Sequence, residues 1–188
     1  DELTKLISET NAQVQKLEQR KNELSSQLNA LKDTADKNEK AAEIAKQNAQ
    51  TNGILSGRLA ATGEGVVIRI SQGSKQKIDS AILFTLLEEL RNSGAEVIEI
   101  NNVRVVTSTY ISGTAGSLVC DGTKLKSPFT IRAIGDSDNL QNAVNLAGGV
   151  GSRLKVKYGA TVSVSPSDKV MIKSTRQAPQ YTYALSLI

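Results

Sequence analysis

The sequence predicts an α+β protein: a long N-terminal coiled-coil helix, then a mixed-sheet domain of two βαβ halves, ferredoxin-like at its centre, with inserted hairpins. Three observations carry this. Residues 1–50 contain no Gly, Pro or aromatic side chain, whereas all 14 Gly, all 3 Pro, all 4 Tyr and both Phe lie beyond them. The first segment repeats apolar residues every seven positions. The second alternates β-branched runs with amphipathic helical faces. The chain therefore divides into a coiled-coil helix over 1–52, a Gly-containing hinge over 53–64 and an α+β domain over 65–188.

In the helix, Leu3, Leu17, Leu24 and Leu31 share one heptad position, and Ile7, Val14 and Leu28 share the other. Thr10 and Lys21 interrupt this seam, and Lys21 at an a position favours a low oligomer. Further on the seam holds Ala35, Ala42, Ala45 and Ala49 with Asn38 and Asn52, so it buries little there. Fifty helical residues would make a rod of about 75 Å. A single apolar seam needs a partner surface in water. A parallel homodimer is the economical expectation, and a helix folded back on its own domain is the alternative.

The hinge TNGILSGRLAATGEG, residues 51–65, has glycines near phosphate-loop spacing, but Glu64 stands where a lysine is required and a strand follows instead of a helix. VVIRIS, residues 66–71, alternates as a strand. Ile78, Ile82, Leu83, Leu86, Leu87 and Leu90 then share one helical face, with Asp79 or Ser80 at the cap and Gly94 as the stop. AEVIEI, residues 95–100, returns as a strand and completes a βαβ unit with parallel strands.

Asn101-Asn102 reads as a hairpin turn into VRVVTSTYIS, residues 103–112, and a second hairpin follows through SLVCDG, residues 117–122. FTIRAIG, residues 129–135, is the next strand. Asp138 with Gln141 predicts a capping box for a helix bearing Leu140, Val144 and Ala147. A second helical piece over 150–158 leads into two more strands, ATVSVSPS and VMIKS. In LAGGVGSRLK, residues 146–155, a helix precedes the glycines and Leu154 takes the third glycine position of a dinucleotide fingerprint. Gly148-Gly149 is therefore a joint between helices.

Net charge is segregated: residues 1–50 hold 8 Lys/Arg against 9 Asp/Glu, and the remainder holds 15 against 10. The basic residues form no run. With 3% aromatic residues the domain lacks base-stacking platforms, which argues against nucleic acid. The chain has no His, which removes His-dependent triads and most zinc sites, and its one cysteine, Cys120, reads as a small core residue. Asp136 and Asp138 suit helix capping better than a hard cation. No catalytic residue, metal or cofactor is assigned, and a non-enzymatic protein is expected. Arg104 and Arg132, both in strands, are candidate contacts for an anion or an acidic partner if they share a sheet face; Lys75, Lys77 and Arg153 are further candidates.

GEGVVIRIS, LLEELRNSGAEVIEINNVRVVTST, PFTIRAIGD and YGATVSV, in this order across residues 63–173, resemble the DUF881 family of YlxW-like bacterial proteins. ELRNSGAEVIEINNVRV and IRAIGD are the most specific parts. The resemblance implies a membrane-anchored protein with one transmembrane helix upstream of Asp1, a coiled coil, and this domain on the outer side. It also implies a link to cell division or envelope assembly and a partner among those proteins, with no established catalytic residues. The chain departs from the family pattern at YISGTAGSLVCDG, residues 110–122, and at Asn101-Asn102, where the family has Asn-Gly. The expectation is a dimeric envelope scaffold or regulatory interaction protein that holds its domain at a set distance from the membrane. The alternative is a sensor binding a small anion or cell-wall fragment between the sheet and the hairpins.

Overall fold

The structure, a computed structural model, describes residues 2–187; the outer ends of the predicted helix and domain, Asp1 and Ile188, lie outside the described residues. The chain forms two compact units, Asp1–Ala49 and Gln50–Ile188. Helix α1 (Glu2–Leu55) supplies the first unit, and its last turn belongs to the second. Its Ala, Leu, Lys, Glu and Gln content is that of strong helix formers, and no glycine interrupts it before Gly53. The predicted hinge at 53–64 is shorter than expected, because α1 runs to Leu55 and the first strand begins at Ala61.

In the second unit the elements are β1 (Ala61–Ile70), α2 (Ser80–Asn92), β2 (Val97–Ile100), β3 (Val103–Val105), β4 (Ile111–Thr114), β5 (Ser117–Cys120), β6 (Thr123–Lys124), β7 (Phe129–Ile134), α3 (Ser137–Asn145), α4 (Val150–Val156) and β8 (Val162–Ile172). The main sheet has the order β3-β2-β7-β1-β8, and each of its pairings is antiparallel. Neighbouring strands are thus antiparallel throughout, where a mixed sheet was expected; β1 and β2 do run parallel, as the first βαβ unit predicts, but they are not neighbours. Each βαβ half is split: β7 lies between β1 and β2, and β1 lies between β7 and β8. The chain returns through β7 running opposite to both β1 and β2, so both can pair with it by the straighter, slightly stronger antiparallel bonds.

The core lies on one face of this sheet. Val66, Ile68 and Ile70 of β1, Ile98 and Ile100 of β2, and Phe129 and Ile131 of β7 meet Ile82, Leu83, Leu86, Leu87 and Leu90 of α2, with Leu140, Val144, Val150 and Leu154 from α3 and α4. Burying a side chain of this size is worth roughly 1.5–3 kcal/mol, so the α2 stripe alone anchors the layer. Asp79 is the N-cap of α2, its Oδ1 accepting from the Ile82 amide at 2.9 Å. Helix α3 begins two residues earlier than predicted: Asp136, not Asp138, caps it by accepting from Asn139 N at 2.9 Å. The competing cap wins because Glu64 of β1 also accepts from the Ser137 amide and hydroxyl, at 3.1 and 2.8 Å, which fixes the first turn there. Gly149 is the N-cap of α4 after Gly148 at positive φ, the joint expected between helices.

Asn101 and Asn102, at φ 46° and 63°, turn β2 into β3 as predicted. The run expected to continue from Val103 to Ser112 breaks after Val105. There the Val106 amide donates to Thr109 Oγ1 at 2.8 Å and Arg91 Nη2 donates to the Val106 carbonyl at 2.8 Å, which withdraws both groups from a ladder. The second expected hairpin is a three-stranded meander, β4-β5-β6. It contributes Ile111, Leu118 and the buried Cys120 to the main core.

The two strands expected near the C-terminus are one strand, β8, broken in register against β1 between Gly63 and Gly65. Gly65 pairs with Ser167 and Gly63 with Val170, so Asp168 and Lys169 together oppose Glu64. The extra residue flips the side chains beyond it to the other face of the sheet. Val162 and Val164 pack against the main core, while Val170 and Ile172 join Val97 and Ile134 in a second, smaller cluster. Pro166 is tolerated because β8 is an edge strand.

Candidate functional site

The face of the sheet away from the helices carries the polar residues. Register places Arg104 opposite Glu99, Glu99 opposite Arg132, Arg132 opposite Val67 and Val67 opposite Ser165, one row across five strands. Arg104 and Arg132 thus share a sheet face, with a carboxylate between them. Arg132 Nη1 donates to Glu99 Oε2 at 3.1 Å; the Glu99 side chain is 4% exposed and that of Arg132 32%.

Arg104 is 2% exposed and has a different task. Its Nη1 donates to the carbonyls of Leu59 and Ser174 at 2.9 and 3.1 Å, and its Nη2 to the carbonyl of Ile54 at 2.9 Å. It satisfies the end of α1 and ties it, and the chain after β8, to the sheet edge. Burial lowers the Arg104 pKa from its ordinary value, and the Glu99 charge pushes against that shift. Arg176 continues the arrangement, donating from Nε to the Arg104 carbonyl at 2.8 Å and from Nη2 to Asp121.

Arg132 opens onto a groove of ≈ 580 Å³. Glu99 and Val67 lie along it with Arg132, the bulge in β8 supplies Lys169, and the segment beyond it supplies Met171 and Lys173. Ser174 also lines it, and its Oγ is buried without a hydrogen-bond partner among the described residues. The sequence reading did not single out Lys169, Lys173 or Ser174. The only signal was the charged pair Asp168-Lys169 inside an otherwise alternating strand.

The remaining predicted contacts lie elsewhere. Lys75 donates from Nζ to the Val156 carbonyl at 3.1 Å. The aliphatic part of Lys77 lies against Gly116 in the β4-β5 turn. Arg153 lines a smaller cavity of ≈ 180 Å³ with Asp79, Lys157 and Tyr158. There the Tyr158 hydroxyl donates to Asp79 Oδ2 at 2.6 Å, and Lys157 Nζ lies 5.2 Å from the ring centroid. Burial, with the hydrogen bond and charge of Asp79, pushes the Tyr158 pKa up to about 12. This pair locks the turn after α4 to the start of α2. The structure therefore separates Arg132 from Lys75, Lys77 and Arg153.

Among the described residues, no group of three His, Cys, Asp or Glu side chains is placed to hold a metal ion. No helix among the described residues is long and apolar enough to cross a membrane. On α1, Leu3, Ile7, Val14, Leu17, Leu24, Leu28 and Leu31 are each 48–71% exposed.

Residues 48–185 match the family described as bacterial protein of unknown function (DUF881). A UPF0749 protein of Mycobacterium tuberculosis is 35% identical over 166 residues, covering 86% of this chain and 56% of that protein. The UPF0749 protein YlxW of Bacillus subtilis is 30% identical over 126 residues, covering 62% of this chain and 54% of its own length. The chain thus spans about half the length of the curated relatives it matches. A crystal structure of an uncharacterized conserved protein from Mycobacterium tuberculosis superposes with a TM-score of 0.68 at 35% identity, covering 74% of this chain and 99% of that one.

Proposed function

The chain belongs to the bacterial DUF881 family, whose function is unknown, and from that premise we propose that it is a non-enzymatic, envelope-associated scaffold or regulatory interaction protein that dimerises through α1. The observation that carries this is the seam: seven apolar side chains at a and d positions lie uncovered on one helix. Burying each against a partner helix is worth roughly 1.5–3 kcal/mol, enough to repay the loss of freedom on association. Lys21 in the seam favours two strands over larger bundles. The family resemblance supplies the rest of the proposal: anchoring by a segment upstream of Asp1, an extracytoplasmic domain, and a partner in division or envelope assembly.

The domain's strand order β8-β1-β7-β2, with helices on one face, supports reading its centre as ferredoxin-like. Its open face, away from the helices, offers a recognition surface.

Light scattering of the purified chain at about 100 µM, above a typical weak dissociation constant, tests the dimer. A mass of twice 20.1 kDa supports the proposal; a monomer at that concentration overturns it. Fractionation of the full-length gene product, with reporter fusions at its C-terminus, tests anchoring and sidedness.

A further inference from the structure

We propose that the groove on the open face of the sheet binds a phosphate ester, with Arg132, Lys169 and Lys173 as its cationic contacts and Ser174 as a further donor. The groove's ≈ 580 Å³ lies within the roughly 300–1,000 Å³ of small-molecule sites. Its lining carries three cations against one carboxylate, Glu99. That carboxylate is already held by Arg132 on one side and faces the buried Arg104 on the other, so it neutralises little of the remaining field.

The donors suit a phosphate better than a carboxylate. Arg132 spends Nη1 on Glu99 and makes no other hydrogen bond among the described residues, leaving the rest of its fork for oxygens in one plane. Two ammonium groups from Lys169 and Lys173 add point charges that a two-oxygen acceptor would not fill. The Ser174 hydroxyl, closed off from solvent and unpartnered among the described residues, is the kind of group that folded proteins rarely leave unexplained; it would have to turn toward the groove to donate to a ligand oxygen. Val67, Val170 and Met171 add an apolar stretch to a wall that also holds Asn102 and Ser167, which favours an ester with a carbon body over the free ion. No aromatic side chain lines the groove, so stacked bases have no platform.

The bulge in β8 shapes the apolar part of this wall. Without the extra residue at Asp168-Lys169, the alternation that brings Val170 to this face would carry it to the main core.

A soluble phosphate ester and a phospholipid headgroup share this chemistry, and two probes separate them. The full chain is titrated calorimetrically with glycerol 3-phosphate, and sedimented with phosphatidylcholine vesicles either pure or containing roughly a third phosphatidylglycerol. The expected result is saturable binding of at least one probe, with glycerol 3-phosphate at a Kd below about 1 mM if the source is soluble. Lys169→Gln with Lys173→Gln should weaken binding at least about tenfold, as expected for losing two charge-assisted contacts. Ser174→Ala should weaken it about fivefold while the melting temperature stays level or rises, because the variant removes an unsatisfied buried group. Absence of saturable binding to both probes overturns the proposal, as does binding that both variants leave unchanged. The readout is binding per chain, so a failure of dimerisation through α1 leaves this test intact.

Discussion

Arg104 sits directly opposite Glu99 in the β2-β3 ladder, yet its guanidinium gives its hydrogen bonds to the carbonyls of Ile54, Leu59 and Ser174 and none to that carboxylate. Glu99 is instead bonded by Arg132 from the other side. One carboxylate thus balances two arginines with different tasks. The buried one fastens chain segments to the sheet edge, and the half-exposed one faces the groove.

Arg104→Met is therefore expected to destabilise the domain by about 3 kcal/mol, because three carbonyls lose their donor and Glu99 loses a neighbouring cation in a buried setting. Urea unfolding followed by circular dichroism measures this. A loss under about 1 kcal/mol would mean that water replaces the guanidinium at little cost.

The Asp79-Tyr158 pair gives the domain a pH signature at both ends. Tyr158 has its pKa raised to about 12, first by burial and then by Asp79. A phenol whose folded pKa lies above its unfolded value of 10.0 contributes stability that is full below pH 10.0 and is lost as pH rises toward about 12. For Asp79, burial raises the pKa, but the Tyr158 hydroxyl, the Ile82 and Ala81 amides and the Lys157 charge together lower it. Its contribution is present above 3.8 and is lost as pH falls below that value. Tyr158→Phe should cost about 1 kcal/mol at neutral pH and flatten the alkaline fall. Unfolding free energies measured across pH 3 to 12 test both limbs.

How much of this was legible in the sequence follows from what each feature depends on. The α2 stripe from Ile82 to Leu90 and the Asn101-Asn102 turn rest on local periodicity and local backbone preference, so both are readable and both are present. The pairing of β7 with both β1 and β2 depends on which strand fills the gap a helical crossover leaves, and alternation alone does not encode that. The bulge opposite Glu64 is one residue long, and a strand with one extra residue still alternates on paper. Ser174, which shares its parity with Val170 and Ile172 beyond the bulge, was hidden for that reason. Arg104 and Arg132 were legible as strand arginines, but their shared face follows from the strand pairing, and only packing decides that the Ile54, Leu59 and Ser174 carbonyls consume the first.

The β2-β3 turn predicts opposite signs for neighbouring substitutions. Both asparagines have positive φ. Asn102→Gly relieves that strain, with no side-chain hydrogen bond among the described residues to lose, and should stabilise by about 0.5 kcal/mol. Asn101 also donates from Nδ2 to the Lys126 carbonyl and accepts from the Thr130 amide, each at 2.8 Å, joining the turn to the start of β7. Asn101→Gly should therefore destabilise by about 1–2 kcal/mol despite the easier backbone. Chemical denaturation of the two variants in parallel checks the sign as well as the size.

The seam on α1 makes the last prediction. Leu17 and Leu24 occupy the same heptad position, each more than half exposed, and both lie in the half of the helix where the seam is leucine-rich and not alanine-rich. Leu17→Asn with Leu24→Asn places two amides where a partner helix would need apolar contact. Each leucine lost from such an interface is worth roughly 2 kcal/mol or more per helix, so the dimer should dissociate at concentrations at which the parent chain stays paired. An isolated helix with an uncovered seam depends on its partner for much of its order, so helical content should fall with dissociation while the sheet signal persists. Sedimentation velocity and far-UV circular dichroism, recorded on the same samples, distinguish this from a seam that packs against its own domain. In that case the substitutions would reduce domain stability without changing mass.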